Sequence, residues 1–124
     1  MNTLFPLALA AAVLATSASA AEPARQCFRV SQMKGHTVAD SKTLYVAVGH
    51  ADVYRMDMAG ACLSGAKFGD PLVIETTGGS DLICRPIDLN LKVADPIGAT
   101  PCLVSQIAKL TPEQAAALPR KLRP

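Results

Sequence analysis

The residues of this chain best suited to chemistry are its four cysteines. No two of them form a C-x-x-C pair, which disfavours a thioredoxin-like redox site and a c-type haem site. A zinc site built from four cysteines usually contains such close pairs, so a structural metal site is also disfavoured. We therefore predict two disulfide bonds, formed in an oxidising compartment. The disulfide candidates are Cys27, Cys62, Cys84 and Cys102.

The pairing of these cysteines stays open, because four cysteines allow three connectivities. The stretches "CFRVSQMKG" at residue 27 and "CLVSQIAKL" at residue 102 are similar, and both are predicted to be short strands after a cysteine. Neighbouring edge strands would bring those two sulfurs together, which favours Cys27–Cys102 with Cys62–Cys84. A chance similarity explains the match equally well, so the sequence does not choose.

The other polar residues form no recognisable catalytic or metal-binding set. His50 and Asp52 supply two ligands at one turn, but no third ligand is evident, and His36 is expected in a loop. No serine lies in G-x-S-x-G, no carboxylates are closely paired, and no glycine-rich loop precedes a helix. We predict no catalytic, cofactor-binding or metal-binding residues, and we keep a small enzyme or a metal-binding protein as an alternative.

Residues 1–20 have the pattern of a secretory signal peptide. An uncharged apolar run covers residues 4–15, shorter than the ~20 residues that span a bilayer. Ala18 and Ala20 then give the small-x-small pattern that signal peptidase accepts. Cys27 lies well past Ala20, so it is not expected to carry a lipid. We predict cleavage after Ala20 and a mature chain, residues 21–124, that has no membrane-spanning segment and is periplasmic or secreted.

Charge and size limit the partners and the architecture of the mature chain. The 12 Lys and Arg residues and the 10 Asp and Glu residues all follow residue 20, and the net charge is +2. That charge is too small to predict binding to nucleic acid or to an anionic membrane. The mature chain has the length of one domain, and a domain of this size gains from cross-links. We predict a single disulfide-stabilised domain.

Short β-rich runs separated by Gly, Pro, Asp and Ser predict an all-β fold. Turn signals recur every ~8–12 residues, as in a small sandwich or a partly open barrel of about six antiparallel strands. Residues 43–49 and 53–60 predict a hairpin whose apolar residues share one face, with Val48 opposite Tyr54. The shared face consists of Leu44, Val46, Val48, Tyr54, Met56 and Met58.

A second hairpin is predicted around Gly78 and Gly79, because glycine tolerates the positive φ angles of a two-residue turn. This turn would place Ile74 opposite Ile83. Pro86 is expected at a sheet edge or a bulge. Beyond it, one run alternates cleanly between apolar and polar side chains, as a half-buried strand does. The apolar residues of that run are Ile87, Leu89, Leu91 and Val93.

Two stretches are expected to be loops, and they flank most of the predicted strands. The polar residues 31–42 end in a turn signal at Asp40. Residues 94–101 contain two prolines and lead directly into Cys102 and a last strand at residues 102–110. A rigid loop anchored by a disulfide is also what a protease inhibitor presents, so residues 94–101 define that alternative.

A short helix is predicted near the C-terminal end. Thr111 is a suitable N-cap, Gln114 completes a capping box, and Pro119 ends the helix. A helix of one or two turns is marginal alone in water, so we expect Ala115 or Leu118 to dock on the β core.

Several landmarks occur in an order that resembles a known family. They are "CF" at residue 27, "DSKTLYVAVG" at 40, "VYRMDMAGACL" at 53, "GGSDLIC" at 78, Cys102, and "LTPEQAAAL" at 110. Together they resemble an uncharacterised family of short exported proteobacterial proteins, a domain of unknown function. The resemblance implies export to the periplasm and a compact β-rich domain, and it brings no activity or site residues. The stretch "ACLSG" departs from the Cys-Pro that is more usual at that bend.

Together these features favour a non-enzymatic binding or envelope-accessory module. Its partner would be an envelope or extracellular protein or a small ligand. Nucleic acid is not expected, because the few aromatic residues do not form a stacking platform among basic residues. The alternatives are a protease inhibitor that uses residues 94–101, and a small enzyme or metal-binding protein.

Overall fold

Nine β-strands and one short α-helix make up the described part of the chain. The computed structural model describes residues 26–66 and 70–124, so the predicted signal peptide lies outside the described residues. The strands are β1 Phe28–Arg29, β2 Met33–Val38, β3 Thr43–Val48, β4 Asp52–Met58, β5 Leu72–Thr76, β6 Leu82–Ile83, β7 Leu89–Asp95, β8 Gly98–Cys102 and β9 Val104–Lys109. The helix is α1 Pro112–Ala117.

The strands form three antiparallel sheets, with the orders β1-β6, β2-β3-β4-β9 and β5-β7-β8. Within the described residues no sheet closes into a barrel, and the fold is an all-β sandwich, as predicted. The strands outnumber the expected six because β2 was not foreseen and because several strands are short.

The β3–β4 hairpin confirms the predicted faces and corrects the predicted register. Val46 lies opposite Tyr54, and Val48 lies opposite Asp52, so the pairing is two residues away from the expected one. The turn occupies residues 49–51 and begins at Gly49, whose φ of 63° suits glycine. Because side chains alternate with a period of two, a two-residue shift leaves every side chain on its expected face.

The core lies between the four-stranded and the three-stranded sheets. Leu44, Val46 and Met56 are 0% exposed, and they belong to one buried cluster with the apolar residues of β7. The Phe28 ring of β1 packs on Tyr54 with the ring centroids 4.7 Å apart. Burying each large apolar side chain contributes about 1.5–3 kcal/mol, so this face accounts for much of the stability.

Strand β2 replaces most of the loop that was expected at residues 31–42. A bulge between Met33 and Gly35 interrupts its pairing with β3, and His36 then lies opposite Val46 on the core-facing side. The bulge and the polar residue hide the alternation that marks a strand. The predicted turn at Asp40 is present, since the Lys42 main-chain N–H donates to Asp40 Oδ1 at 2.8 Å.

The predicted hairpin around Gly78 and Gly79 is wrong. All five residues of β5 pair with β7, with Ile74 opposite Leu91, whereas Ile83 of β6 lies opposite Phe28 of β1. Both glycines do have positive φ angles, 80° and 73°, but they lie in a 3-10 turn. Strand β5 therefore pairs with the longer alternating strand β7 and not, as predicted, with the two-residue β6.

The loop expected at residues 94–101 is also mostly strand. Strands β7 and β8 form a hairpin in which Asp95 lies opposite Gly98, so only Pro96 and Ile97 are outside the ladder. The single last strand that was expected is divided at Leu103 into β8 and β9, which belong to different sheets. Leu103 is thus the point where the chain passes from one sheet to the other.

Helix α1 forms as predicted and docks on the outer face of the four-stranded sheet. Gln114 N–H donates to Thr111 Oγ1 at 3.1 Å, and Thr111 N–H donates to Gln114 Oε1 at 2.9 Å. Ala115 and Leu118 are half-buried and share a cavity of about 250 Å³ with the β3–β4 turn. Thr37 Oγ1 donates to the main-chain oxygen of Arg123 at 3.2 Å, which holds the end of the chain on the same face.

The helices in residues 26–66 and 70–124 include none that is both long and apolar enough to cross a membrane.

Candidate functional site

Two disulfide bonds join the four candidate cysteines, in a pairing different from the one favoured by sequence. Cys27 is bonded to Cys84, and Cys62 is bonded to Cys102. The first pair follows from the sheet, because the β1–β6 register that places Phe28 opposite Ile83 brings the next two residues, Cys27 and Cys84, together. The similarity between the two stretches at residues 27 and 102 therefore did not indicate the pairing.

A 3-10 turn at Pro86–Asp88 follows the first disulfide directly. Pro86 takes the first position, where its missing N–H costs nothing. Asp88 closes the turn, because its Oδ2 accepts the main-chain N–H groups of Cys84 at 3.0 Å and Arg85 at 2.9 Å. The hydrogen bond from Cys84 also holds the pKa of Asp88 below its usual range.

This turn moves Ile87 out of the predicted strand and into solvent. Leu89, Leu91 and Val93 are buried as expected, but the Ile87 side chain is 67% exposed. Its main-chain oxygen accepts a hydrogen bond from Thr77 Oγ1 at 3.0 Å. The backbone of this exposed aliphatic residue is therefore fixed from two sides.

Leu103 is the second large aliphatic residue that is fixed in an exposed position. It follows Cys102, which is buried and bonded to Cys62. The Ala59 main-chain N–H donates to the Leu103 main-chain oxygen at 2.8 Å. The disulfide of Cys102 and the hydrogen bond from Ala59 thus hold the backbone at Leu103, yet Leu103 is 72% exposed.

Ile87 and Leu103 line one groove, which we call the aliphatic groove. It has a volume of about 500 Å³ and is bounded by the Pro86–Asp88 turn, the end of β8 and the beginning of β9. Eleven of the described residues line it, and none of these eleven carries a charge. Exposed aliphatic side chains that are clustered in a cleft mark interaction sites more often than singly scattered ones do.

The polar side chains of the aliphatic groove already have partners within the protein. Ser105 Oγ donates to the Asp57 main-chain oxygen at 2.9 Å, and Thr77 Oγ1 donates to Ile87. Asn90 Nδ2 donates to Glu75 Oε2 at 3.2 Å. The groove thus offers mainly apolar contact to a ligand.

A protein-family model described as "Family of unknown function (DUF6491)" matches residues 2–124. The chain belongs to the DUF6491 family. This confirms the resemblance to an uncharacterised family. Comparison with curated proteins and with solved structures finds no match. Membership of DUF6491 supplies no activity.

The histidines of this DUF6491 chain are not brought together. His50 is exposed in the β3–β4 turn, while the Asp52 carboxylate lies 3.1 Å from Lys109 Nζ. His36 was expected in a loop and lies on β2, where its Nε2 donates to the Asp70 main-chain oxygen at 3.0 Å. Among residues 26–66 and 70–124, no group of three or more His, Cys, Asp or Glu side chains is arranged to hold a metal ion.

Sequence reasoning missed the aliphatic groove of this DUF6491 protein. Ile87 was assigned to the buried face of a strand, and Leu103 was placed inside a continuous last strand. A signal for the first was present, because proline followed two residues later by aspartate is typical of a capped turn. The division of the last strand at Leu103 had no comparable signal.

Proposed function

We propose that this protein is an exported, non-enzymatic binding or envelope-accessory module that acts through the aliphatic groove. The observation that carries the proposal is the exposure of Ile87 and Leu103 on a backbone fixed by a disulfide near each. A preorganised surface binds more tightly because little conformational entropy is lost on association. Rigid aliphatic residues at an uncharged cleft suit recognition better than proton transfer or nucleophilic attack.

Export is supported by two independent features. Residues 4–15 have the apolar character of a signal-peptide core, and Ala18 and Ala20 form the cleavage pattern. All four cysteines are bonded in pairs, which is common in oxidising compartments and rare in the cytosol. The protein is therefore proposed to work in the periplasm or outside the cell, after removal of residues 1–20.

Intact-mass measurement of the protein isolated from its own cells tests export. We expect a chain that begins at Ala21 and whose mass is lower than that of the reduced chain by the four hydrogens of two disulfides. A cytosolic protein with free thiols would contradict the proposed location.

Site-specific photo-cross-linking in the producing cells tests the binding role. A photoreactive amino acid replaces Leu103 in one variant and Leu82 in another. Leu82 is also an exposed leucine, but it lies on β6 and does not line the groove. We expect a discrete adduct from position 103 and none from position 82.

The binding role fails if positions 103 and 82 give the same pattern, or if neither gives an adduct. It would also fail if the purified protein turned over ester or peptide substrates, because the proposal assigns no reaction to this chain.

A further inference from the structure

We infer that the aliphatic groove receives a short, uncharged, apolar segment of a partner protein. This inference rests on the proposed function, because it names the class of partner for the same site. Three properties of the groove define that class: its charge and hydrogen bonding, its size, and the exposure of its two aliphatic side chains.

Charge and hydrogen bonding select an uncharged apolar segment. A charged side chain that entered the groove would lose water and find no opposite charge among the lining residues that the structure describes. The hydroxyl hydrogens of Thr77 and Ser105 are already donated to main-chain oxygens. Partner groups that need a hydroxyl donor from the groove would therefore be left without one, whereas aliphatic groups need none.

The size of the groove favours a short segment over a second copy of this chain. A stable interface between two folded proteins usually involves about 20–30 residues on each side. Within residues 26–66 and 70–124, eleven residues line the aliphatic groove, which is about half of that number. A short extended segment can be recognised by a patch of this size, since a few anchoring side chains carry most of the binding energy.

The exposure of the two aliphatic side chains favours a polypeptide over a lipid chain. A site for a small apolar molecule usually encloses about 70–90% of the ligand surface. Ile87 and Leu103 project into solvent, with 67% and 72% of their surfaces exposed, and so they do not form the walls of an enclosed cavity. Projecting side chains can pack between the side chains of a polypeptide.

Binding of labelled synthetic peptides to the purified, oxidised protein tests this inference. One peptide set of about ten residues contains randomised Ala, Val, Leu, Ile, Ser and Thr, and a matched set has Lys and Glu at two of these positions. We expect fluorescence anisotropy to detect binding of the uncharged set, weakened at least about tenfold in the charged set. The Ile87→Asp and Leu103→Asp variants should each weaken binding of the uncharged set by at least about tenfold.

The Leu82→Asp variant is the matched control, because it adds the same charge at an exposed leucine outside the groove. It should bind the peptides as the natural chain does, and all three variants should keep the natural thermal unfolding midpoint. Equal peptide binding by the two groove variants and the natural chain would overturn the inference, as would an absence of peptide binding.

Two further measurements separate this inference from the proposed function. Flotation with phosphatidylcholine vesicles tests a lipid occupant, and sedimentation velocity tests a second copy. Vesicle binding or self-association that Leu103→Asp abolishes would overturn the peptide inference and leave a binding role for the groove. A missing adduct at position 103 in cells would instead remove the proposed function itself.

Discussion

Leu44 and Ile87 are both aliphatic residues that the sequence places on the buried face of a strand, but Leu44 is fully buried and Ile87 is mostly exposed. Leu44 belongs to the four-stranded sheet, whose long ladders bury one continuous apolar face. Ile87 belongs to a second region, which consists of β1, β6, the Pro86–Asp88 turn and Leu103. That region contains little regular ladder and is held by the two disulfides and by side-chain hydrogen bonds to main-chain groups.

The difference shows how this small protein separates stability from recognition. Apolar burial stabilises the sheet, and any side chain that contributes to it is unavailable to a partner. The second region buries Phe28 and Ile83, but covalent and polar links add to its rigidity, so Ile87 and Leu103 can remain exposed. Substitutions in the two regions should therefore have opposite consequences for unfolding and for binding.

The largest expected effect is that of truncating a buried residue of the sheet. Leu44→Ala should lower the free energy of unfolding by about 2–5 kcal/mol, because it removes buried methyl groups and leaves a cavity. Ile87→Ala should change it by less than about 0.5 kcal/mol, since its side chain is mostly in water. Urea unfolding followed by circular dichroism measures both. A similar loss of unfolding free energy in the two variants would contradict the proposed difference between the regions.

The second expected effect comes from removing either disulfide. Replacing Cys27 and Cys84 together by alanine should destabilise the protein by about 2–4 kcal/mol, and the pair Cys62 and Cys102 should cost a similar amount. The sequence separations, 57 and 40 residues, predict nearly equal chain-entropy terms.

Hydrogen exchange distinguishes where each disulfide acts. Loss of Cys27–Cys84 should speed amide exchange at residues 85–89 well before β3 and β4 are affected, because the turn loses its covalent anchor. Loss of Cys62–Cys102 should speed amide exchange first near Leu103. Uniform acceleration over the whole chain would mean that the disulfides stabilise the sheet and the second region alike.

The same division explains which parts of the fold could be predicted from sequence. The faces of β3 and β4 follow from alternation, because one face must be buried. Their register depends on turn geometry, and the prediction was two residues away. Strand β2 was missed because its bulge and His36 obscure the two-residue alternation of apolar and polar side chains. The partner of β5 could not be chosen, since Gly78 and Gly79 fit a hairpin locally while β7 offers the longer ladder.

The candidate site was less predictable than the core, for a physical reason. Alternation assigned Ile87 to the core, but the hydrogen bonds that Asp88 accepts from Cys84 and Arg85 form a turn and reverse that assignment. The disulfide pairing, which anchors the turn, depends on which strands meet and not on the spacing of the cysteines. Leu103 is exposed where the chain passes between two sheets, and such a passage leaves no periodic signal in the sequence.

The smallest expected effect is a selective loosening of the second region by acid. The pKa of Asp81 lies below its ordinary value of 3.8 because Ser31 Oγ donates to its carboxylate at 2.7 Å. The pKa of Asp88 is also lowered, by the hydrogen bond from the Cys84 main-chain N–H. A carboxylate whose pKa is lower in the folded state than in the unfolded state stabilises the fold when the pH is above the unfolded-state pKa. This stabilisation is lost as the pH falls through the folded-state pKa. Stability should therefore decline below about pH 4.

A double variant tests where that decline originates. In Asp81→Asn with Asp88→Asn, the urea midpoint should fall less between about pH 7 and about pH 3 than in the natural chain, because two of the titrating groups are gone. Asp40→Asn is the control in the turn between β2 and β3 of the four-stranded sheet, since the pKa of Asp40 is also lowered, by the Lys42 main-chain N–H. Exchange at residues 81–89 should become less sensitive to acid in the double variant and stay as sensitive as before in Asp40→Asn. If the control instead removed the acid response at residues 81–89, the two regions would be coupled, and the rigidity of the aliphatic groove would depend on the sheet.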